Sequence, residues 1–342
     1  MDRNNQHSIL EISNLTIGYF HGRKKKIILD RINLTLEKGN LVCMLGENGV
    51  GKSTLLKTIS RVIPPLSGEI FINGHSLQHI SQKALAKNIS VVLTGGQKPG
   101  ILKVREMVAL GRYPYTGWVG GLSAEDHDKI DWALNLTNVN HLADESIATL
   151  SDGQLQKVMI ARALAQDSDI MILDEPTAFL DVNNRLEIMH LLKMLAWETK
   201  KAILVSTHDL DSAFHTADQL WLATCCLPIT TGCPEDLIVE GEIQNLFDHE
   251  AFVFDQQSGR FKTDFKSIRQ INLQGAHDKY YLWTKSGLER IGYEVVKSNS
   301  TLKLSIESNA NAPVWRLEDD DKLHKFSAIG ELISFLRGHH LG

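Results

Sequence analysis

The chain has 342 residues, of which 43% are hydrophobic and 23% are charged, and its formal net charge is −5 with a pI near 6.3. This balance excludes a disordered chain and provides no overall basic field to attract nucleic acid. The length corresponds to about two domains and can bury a core without metals or disulfides. No run of about 18 apolar residues or signal-like stretch is present, so we expect neither a membrane span nor a secretory leader.

The predicted elements alternate between strands and helices along the first 230 residues. Residues 52–60 carry apolar side chains at helical spacing, and residues 104–150 are predicted to be mostly helical. Predicted strands lie at residues 9–17, 27–36, 41–46, 69–73, 89–93, 169–175, 201–207 and 220–229. The later strands alternate with helices, which is typical of a mostly parallel sheet.

Apolar periodicity lapses over residues 255–264, where the chain is polar. We therefore expect a first domain at 1–258 and a small accessory α/β domain at 265–342. In the second domain, Trp283 and Trp315 are predicted core aromatics, and His339 with His340 is predicted to form a solvated tail.

The chain has four cysteines, and their spacing forms no metal-binding pattern. Cys43 lies in the apolar run LVCML and is expected to be a small core residue. Structural thiol roles are predicted for Cys225, Cys226 and Cys233 as well, which fits a reduced, cytosolic compartment.

A glycine-rich segment follows the apolar run at 41–46 and precedes the predicted helix at 52–60. It fits the pattern G-x-x-x-x-G-K-[ST], in which backbone N–H groups of the loop and the helix N-terminus bind phosphate oxygens. Lys52 is placed to reach the β- and γ-phosphates, and Ser53 to ligate Mg²⁺. The candidate nucleotide-binding residues here are Gly46, Glu47, Asn48, Gly49, Val50, Gly51, Lys52, Ser53 and Thr54. Without a bound phosphate, the same residues would form only a glycine-rich turn.

Two adjacent acids end the apolar strand predicted at 169–175. Asp174 is a candidate Mg²⁺ ligand, partly through water. Glu175 is a candidate general base for the attacking water. Together with the glycine-rich loop, these acids predict a P-loop nucleoside triphosphatase, which leaves a kinase, a GTPase or a motor open.

The sequence LSDGQ at residues 150–154 stands just before a predicted helix. Its serine and glycine at a helix N-terminus form a second anion site that has no lysine of its own. The order and spacing resemble the signature motif LSGGQ of ATP-binding-cassette (ABC) ATPases, with an aspartate in place of one glycine. The candidate nucleotide-binding residues of this motif are Ser151, Asp152, Gly153 and Gln154.

Three further residues match positions of the ABC pattern and follow the same order along the chain. By this resemblance, Tyr19 stacks on adenine, Asp181 lies in the loop between the two nucleotide sites, and His208 contacts the γ-phosphate. The resemblance covers roughly residues 10–225. It implies an α/β P-loop NTPase fold with a mostly parallel core sheet, an antiparallel β subdomain, an α-helical subdomain at about 97–160, and a small C-terminal α/β extension.

One departure from the family pattern lies after the strand predicted at 89–93. ABC ATPases carry a glutamine there that helps to bind Mg²⁺ and the attacking water. In this chain Gly95 occupies that place and Gln97 follows two residues later. Whether Gln97 replaces the usual glutamine is left open.

The stretch at residues 104–118 resembles the permease-docking region of ATPase subunits of importers for iron–siderophore complexes, haem and cobalamin. Ordinary packing of a helix and a loop is the alternative for this stretch. The resemblance implies a homodimer of cassettes, integral-membrane permease subunits and an extracytoplasmic substrate-binding protein, with no nucleic acid. ATP and Mg²⁺ are the expected ligands, and the cytoplasmic face of the membrane is the expected location.

Each ATP is expected between residues 46–53 of one subunit and residues 151–154 of the other, so that ATP closes the dimer and hydrolysis reopens it. The resemblance therefore implies the ATP-hydrolysing subunit of an ABC importer that powers uptake of an iron complex (siderophore or haem) or cobalamin. The alternative function is an ABC ATPase uncoupled from transport, of the translation or DNA-repair type. Translation types usually carry two cassettes and repair types carry long coiled-coil insertions, and one signature in 342 residues fits neither. A GTP-binding switch is disfavoured because no N-K-x-D motif is found.

Overall fold

A computed structural model describes residues 8–22, 24–93, 102–117, 121–225, 227–247, 252–255, 260–263, 269–297, 300–308, 313–319 and 322–338. The chain divides into two compact units. The first comprises Met1–Leu246 and Gln256–Arg260, and the second comprises Phe247–Asp255 and Phe261–Gly342.

The strands in chain order are β1 (Ser8–His21), β2 (Lys24–Glu37), β3 (Leu41–Gly46), β4 (Ser67–Ile72), β5 (His75–Ser76), β6 (Ile89–Val92), β7 (Ile170–Asp174), β8 (Ala202–Ser206), β9 (Gln219–Ala223), β10 (Thr230–Gly232), β11 (Phe252–Asp255), β12 (Arg260–Thr263), β13 (Arg269–Gln274), β14 (Tyr293–Val296), β15 (Leu302–Ser308), β16 (Pro313–Asp319) and β17 (Lys322–Phe326).

The α-helices in chain order are α1 (Lys52–Ile59), α2 (Gln82–Asn88), α3 (Val104–Ala109), α4 (Ala124–Leu136), α5 (Asp152–Ala165), α6 (Val182–Thr199), α7 (Leu210–Thr216), α8 (Pro234–Val239), α9 (Glu242–Phe247), α10 (Lys279–Arg290) and α11 (Ile329–Gly338).

The first unit is built on a six-stranded sheet with the order β10-β9-β3-β8-β7-β6. All neighbours are parallel except β10, which runs antiparallel to β9. Every residue of β3, β7 and β8 is buried, as expected where helices cover both faces of a parallel sheet. Parallel strands bring their carboxyl ends to one edge, and the candidate site lies at this edge.

A second, antiparallel sheet of the first unit has the order β2-β1-β4-β5. In the second half of β2, buried and exposed residues alternate, and Leu29, Ile32, Leu34 and Leu36 are the buried ones. One face of this sheet therefore faces the core, and the other carries polar side chains. The predicted strands at 9–17 and 27–36 are confirmed as parts of β1 and β2.

Helices α3, α4 and α5 pack against one another and form the helical part of the first unit. A buried arginine anchors this packing: Arg112 Nε donates to Asp126 Oδ1 at 2.7 Å, and Arg112 Nη1 donates to the Ala165 carbonyl at 2.9 Å. Beside it, a Cβ on Gly111 would lie 2.2 Å from the Arg162 carbonyl oxygen, so only glycine fits. Within the stretch at 104–118, which is predicted to dock on a permease, residues 111–112 are therefore packed inside the helical part. Leu110 and Tyr113, on either side of them, are exposed.

The second unit contains a five-stranded sheet with the order β14-β13-β15-β16-β17. Strands β14 and β15 run parallel to β13, and β16 and β17 continue antiparallel. Helices α10 and α11 supply the other half of a separate core that contains Leu288, Leu304, Trp315 and Leu332. Strands β11 and β12 pair as a separate two-stranded sheet.

The structure overturns two of the sequence expectations and confirms two others. The buried strand predicted at 220–229 is wrong in its length, because β9 ends at Ala223. Trp315 is a core residue as expected, but Trp283 is 68% exposed, so its assignment to the core is wrong. Cys43 is buried as predicted, and burial raises the pKa of its thiol to about 12. Residues 339 and 340 lie outside the described residues.

Candidate functional site

The glycine-rich loop joins β3 to α1 at the carboxyl edge of the parallel sheet. Gly46 has φ 153°, and a Cβ there would lie 2.3 Å from the carbonyl oxygen of Ala223 on β9. Gly51 has φ 118°, and a Cβ there would lie 2.6 Å from Ile28 Cγ2. Glycine is therefore required at both ends of the loop, by the backbone conformation and by lack of space.

Lys52 is the first residue of α1, and it is 5% exposed. Its ammonium donates to the carbonyl oxygens of Gly46 at 2.6 Å and Glu47 at 3.0 Å, so the side chain curls back over the loop. Burial lowers the pKa of Lys52, and the nearby carboxylates of Glu175 and Asp174 oppose this shift. The loop thus concentrates positive charge and N–H dipoles next to two acids.

The acids are positioned by the register of two parallel strands. Asp174, the last residue of β7, pairs with Ser206, the last residue of β8. Ser206 Oγ donates to Asp174 Oδ1 at 2.6 Å, and Ser53 Oγ donates to the same oxygen at 3.0 Å. The glycine-rich loop and the strand acids are therefore brought together, although they are far apart in the sequence.

Glu175 follows Asp174 and has φ 48°, a left-handed conformation that is uncommon for a residue with a side chain. Its backbone N–H is held by the carbonyl and the hydroxyl of Ser206, both at 3.0 Å. Its Oε2 lies 3.8 Å from Nδ1 of His208, whose side chain is 55% exposed. The strained turn places this carboxylate toward the loop.

A cavity of about 140 Å³ lies between the loop and the acid turn. It is lined by Asn48, Gly49, Gly51, Lys52, Ser53, Thr54 and Glu175. Tyr19, on β1, reaches the same region, because its hydroxyl lies 3.0 Å from Thr54 Oγ1. This cavity thus joins the predicted phosphate-binding residues to the predicted general base.

The signature residues form a helix start elsewhere in the unit. Ser151 caps α5: its Oγ accepts from the Gln154 backbone N–H at 3.3 Å, while Gln154 Oε1 accepts from the Ser151 N–H at 3.0 Å. Asp181 caps α6 by accepting from the Asn184 N–H at 2.8 Å. Among the described residues that line the cavity, none belongs to these two motifs. Within one chain, the structure does not bring them to the loop.

Two residues with clear contacts were missed in the sequence. Ser206 orients both acids, and its signal is its place at the end of a strand next to the acid-bearing strand. Asn184 bonds to Asp181, and no linear motif predicts it. Gly95 and Gln97 lie outside the described residues.

Comparisons with known proteins identify the family. Residues 29–178 match the family described as ABC transporter, and residues 268–337 match the family described as iron ABC transporter C-terminal domain. An uncharacterised ABC transporter ATP-binding protein of Methanocaldococcus jannaschii is 37% identical over 76% of this chain and 89% of its own. The iron(3+)-hydroxamate import ATP-binding protein of Bacillus subtilis is 39% identical over 60% of this chain and 74% of its own.

A solved structure of an ATP-binding cassette, a dimer in a post-hydrolysis state bound to ADP and Pi, superposes with a TM-score of 0.57. It is 28% identical, and the match covers 66% of this chain and 98% of that one. Within the described residues, no helix is long and apolar enough to cross a membrane. The chain belongs to the ABC family, as an ATP-binding subunit that hydrolyses ATP.

Proposed function

We propose that this chain powers the import of an iron complex (a siderophore or haem) or of cobalamin through a separate membrane permease. The observation that carries the proposal is the match of residues 268–337 to the iron ABC transporter C-terminal domain. A relative named for iron(3+)-hydroxamate import supports it. A cassette uncoupled from transport is not favoured, because these matches are to transport proteins.

We propose that the loop at 46–53 binds the phosphates of ATP, with Lys52 at the β- and γ-phosphates. Mg²⁺ would be held by Ser53 and Asp174, whose oxygens converge at 3.0 Å. This donor set fits the ion, because Mg²⁺ prefers oxygen ligands and a small number of protein carboxylates. When bound, the ion neutralises charge on the phosphates.

Glu175 is proposed as the general base that takes a proton from the attacking water, and His208 as the group that contacts the γ-phosphate. Ser206 fixes the backbone from which both acids project. Tyr19 is proposed to stack on adenine, since its half-exposed ring lies beside the loop. Catalysis by this arrangement depends on positioning and on charge stabilisation.

The second half of each site is proposed to come from another copy of the chain, through Ser151–Gln154 and Asp181. Exposed apolar side chains flank Asp181: Phe179 is 93% exposed and Val182 is 66% exposed. Such side chains favour burial in an interface. Two ATP molecules between two copies would close the dimer.

The permease is proposed to contact the region around residues 95–118, where Leu110 and Tyr113 are exposed. The proposal places the chain at the cytoplasmic face of the membrane, with a substrate-binding protein on the other side. Selectivity then belongs to the permease and to that binding protein.

The test of catalysis is Glu175→Gln in the complex reconstituted with its permease. Loss of the base is expected to lower ATP turnover by about 10²-fold or more, while ATP still binds. Glu187→Gln, an exposed acid on α6, is the matched control and is expected to keep normal turnover. Turnover near that of the wild type in Glu175→Gln would overturn the assigned base.

The test of transport uses vesicles with the complex in the membrane, ATP inside, and the binding protein and substrate outside. ATP inside the vesicle is expected to drive accumulation of a radiolabelled ferric hydroxamate, haem or cobalamin, and Lys52→Ala is expected to abolish it. Wild-type vesicles that hydrolyse ATP and accumulate none of the three would contradict the proposed substrates.

The accessory domain at 265–342 is proposed to regulate or stabilise the dimer. It has its own sheet and core, which a cassette does not require. A chain truncated after residue 264 is expected to show altered ATPase activity or altered transport in the reconstituted complex. Unchanged values of both would overturn a regulatory role.

A further inference from the structure

Asn184, in the first turn of α6, holds the carboxylate of Asp181 with two bonds. Its backbone N–H donates to Oδ1 at 2.8 Å, and its side-chain amide donates to Oδ2 at 2.8 Å. Both carboxylate oxygens are thereby engaged by one residue. The hydrogen bond from the side-chain amide fixes the orientation of Asn184, because the nitrogen of the amide can donate and its oxygen cannot.

The Asn184 amide also packs against Gly153, the buried second residue of α5. A Cβ on Gly153 would lie 2.6 Å from Asn184 Oδ1, 2.8 Å from Cγ and 3.3 Å from Nδ2. Gly153 is not among the residues with positive φ, so the backbone conformation does not require glycine here. The requirement is for space, and Asn184 occupies that space.

A second contact joins the same two helices about one turn further along. Lys157 Nζ lies 2.5 Å from Glu187 Oε1, with Lys157 largely buried and Glu187 exposed. This ion pair involves neither the Asp181 carboxylate nor the Asn184 amide. It therefore offers a way to weaken the α5–α6 contact without altering the Asn184 contacts.

We propose that Asn184 is a positioning residue that joins the Asp181 turn to the start of the signature helix. The two motifs would then be presented to the nucleotide of a second copy as one unit. This inference rests on the proposed function, in which both motifs act on the nucleotide of the partner copy. It also assigns a reason for the glycine at position 153: a larger residue would push Asn184 away from Asp181.

The test is a pair of compensating substitutions in the full-length chain, reconstituted with its permease. Gly153→Ala is expected to lower kcat about tenfold, because displacement of a positioning group by a fraction of an ångström is costly. Asn184→Ala removes the obstructing amide and the bond to Oδ2, and it is expected to lower kcat about threefold. The double variant is expected to be no slower than Asn184→Ala alone.

One further variant, a binding measurement and a control variant complete the test. Asn184→Asp keeps the bulk but cannot donate to Asp181, so it should not rescue Gly153→Ala. The Kd of ATP for the isolated chain reports on the glycine-rich loop and should not change in any variant. Glu187→Gln is the control for general weakening of the helix contact and should keep kcat within about twofold.

A double variant as slow as Gly153→Ala alone would overturn the inference, because glycine would then be needed for a reason other than Asn184. Equal losses of thermal stability and of kcat across the series would also overturn it. Failure of the proposed function would be distinct, because the wild-type complex itself would then show no ATPase activity coupled to transport.

Discussion

Ser206 is the residue on which the geometry of both candidate catalytic acids depends. It is fully buried, donates to Asp174 at 2.6 Å and accepts the backbone N–H of Glu175 at 3.0 Å. Removal of its hydroxyl leaves the Asp174 oxygen one donor short. At a buried position, such a loss costs about 1–3 kcal/mol.

Ser206→Ala is therefore expected to lower kcat for ATP hydrolysis about tenfold while the KM for ATP changes much less. Steady-state kinetics of the reconstituted complex measures both. The matched control is Ser168→Ala, a buried serine at the opposite end of β7 that bonds to Ser90 and to the Ile170 carbonyl. A similar fall of kcat in the control would show that lost stability, and not the orientation of the acids, is responsible.

Candidate site residues that lie together in one short segment could be found from the sequence, and those that act across segments could not. Gly46–Ser53 and the pair Asp174 and Glu175 each carry their chemistry in consecutive positions. Ser206 and Asn184 act through strand register and helix packing, which a single sequence does not specify. The separation of Ser151 from the cavity follows the expectation that another copy completes the site, and that expectation stays a prediction.

At the scale of elements, a buried ion pair holds the helical part of the first unit together. Arg112 and Asp126 are 3% and 7% exposed, and the guanidinium also lies 3.9 Å from the Tyr115 ring centroid. Removal of one partner leaves an unpaired charge that is almost completely buried from solvent. The cost of such a change is about 3–5 kcal/mol.

Arg112→Ala is expected to lower the free energy of unfolding of the first unit by that amount, which urea denaturation measures. The control is Arg105→Ala. Arg105 pairs with Asp131 at 2.6 Å, but both side chains are 40% or more exposed. Removal of this exposed pair should cost less than about 1 kcal/mol. Equal losses in the two variants would contradict the role assigned to burial.

The same pair predicts a pH dependence of stability. The Ser123 backbone N–H, with its hydroxyl and Arg112, lowers the pKa of Asp126 from 3.8 to about 2. A carboxyl whose pKa is lower in the folded chain stabilises the fold above its unfolded pKa. That contribution is present above about pH 4 and is lost as the pH falls toward 2.

The stability difference between wild type and Asp126→Asn should therefore shrink as the pH is lowered from 5 to about 3. Urea unfolding at a series of pH values measures this difference. A difference that stays constant or grows over this range would contradict the lowered pKa.

Strands with a continuous apolar sequence were predicted well, whereas the residue at which a strand ends was not. The apolar runs at 41–46 and 170–173 were predicted to be buried strands, and β3 and β7 confirm both predictions. The strand predicted at 220–229 extends too far, because the described residues that follow β9 (224, 225 and 227–229) include apolar side chains but do not pair in a sheet. Apolar composition indicates burial, but hydrogen bonding decides where a strand ends.

At the scale of the whole molecule, the proposed dimer requires that the exposed surface around Asp181 be buried against a second copy. Val182→Asp puts a charge beside Asp181 on the surface expected to close. It should weaken ATP-dependent dimerisation at least tenfold, because like charges in an interface are costly. Sedimentation velocity with ATP, in a Glu175→Gln background, measures this effect.

Val62→Asp is the control, since Val62 is 69% exposed and follows the far end of α1 from the loop. It should leave dimerisation unchanged, and both variants should bind ATP with the wild-type Kd. Normal dimerisation of Val182→Asp would contradict the proposed interface.

The presence of a second core could be anticipated from renewed apolar periodicity after residue 264, but its contents could not. Trp315 is buried and donates to Thr284 at 2.8 Å, whereas Trp283, one residue earlier on the same helix as Thr284, points to solvent. A one-residue step rotates a side chain by about 100° around a helix. Residue type alone cannot distinguish these two tryptophans.

The left-handed backbone at Glu175 lowers the stability of the fold at a residue whose side chain the proposed activity needs. A residue with a Cβ in this conformation costs about 1 kcal/mol relative to glycine. Glu175→Gly should therefore be more stable than Glu175→Ala by roughly that amount, and both should be inactive. Urea midpoints compare them, and a less stable glycine variant would contradict the strain. The position proposed to supply the general base is thus one at which the fold would be more stable with no side chain at all.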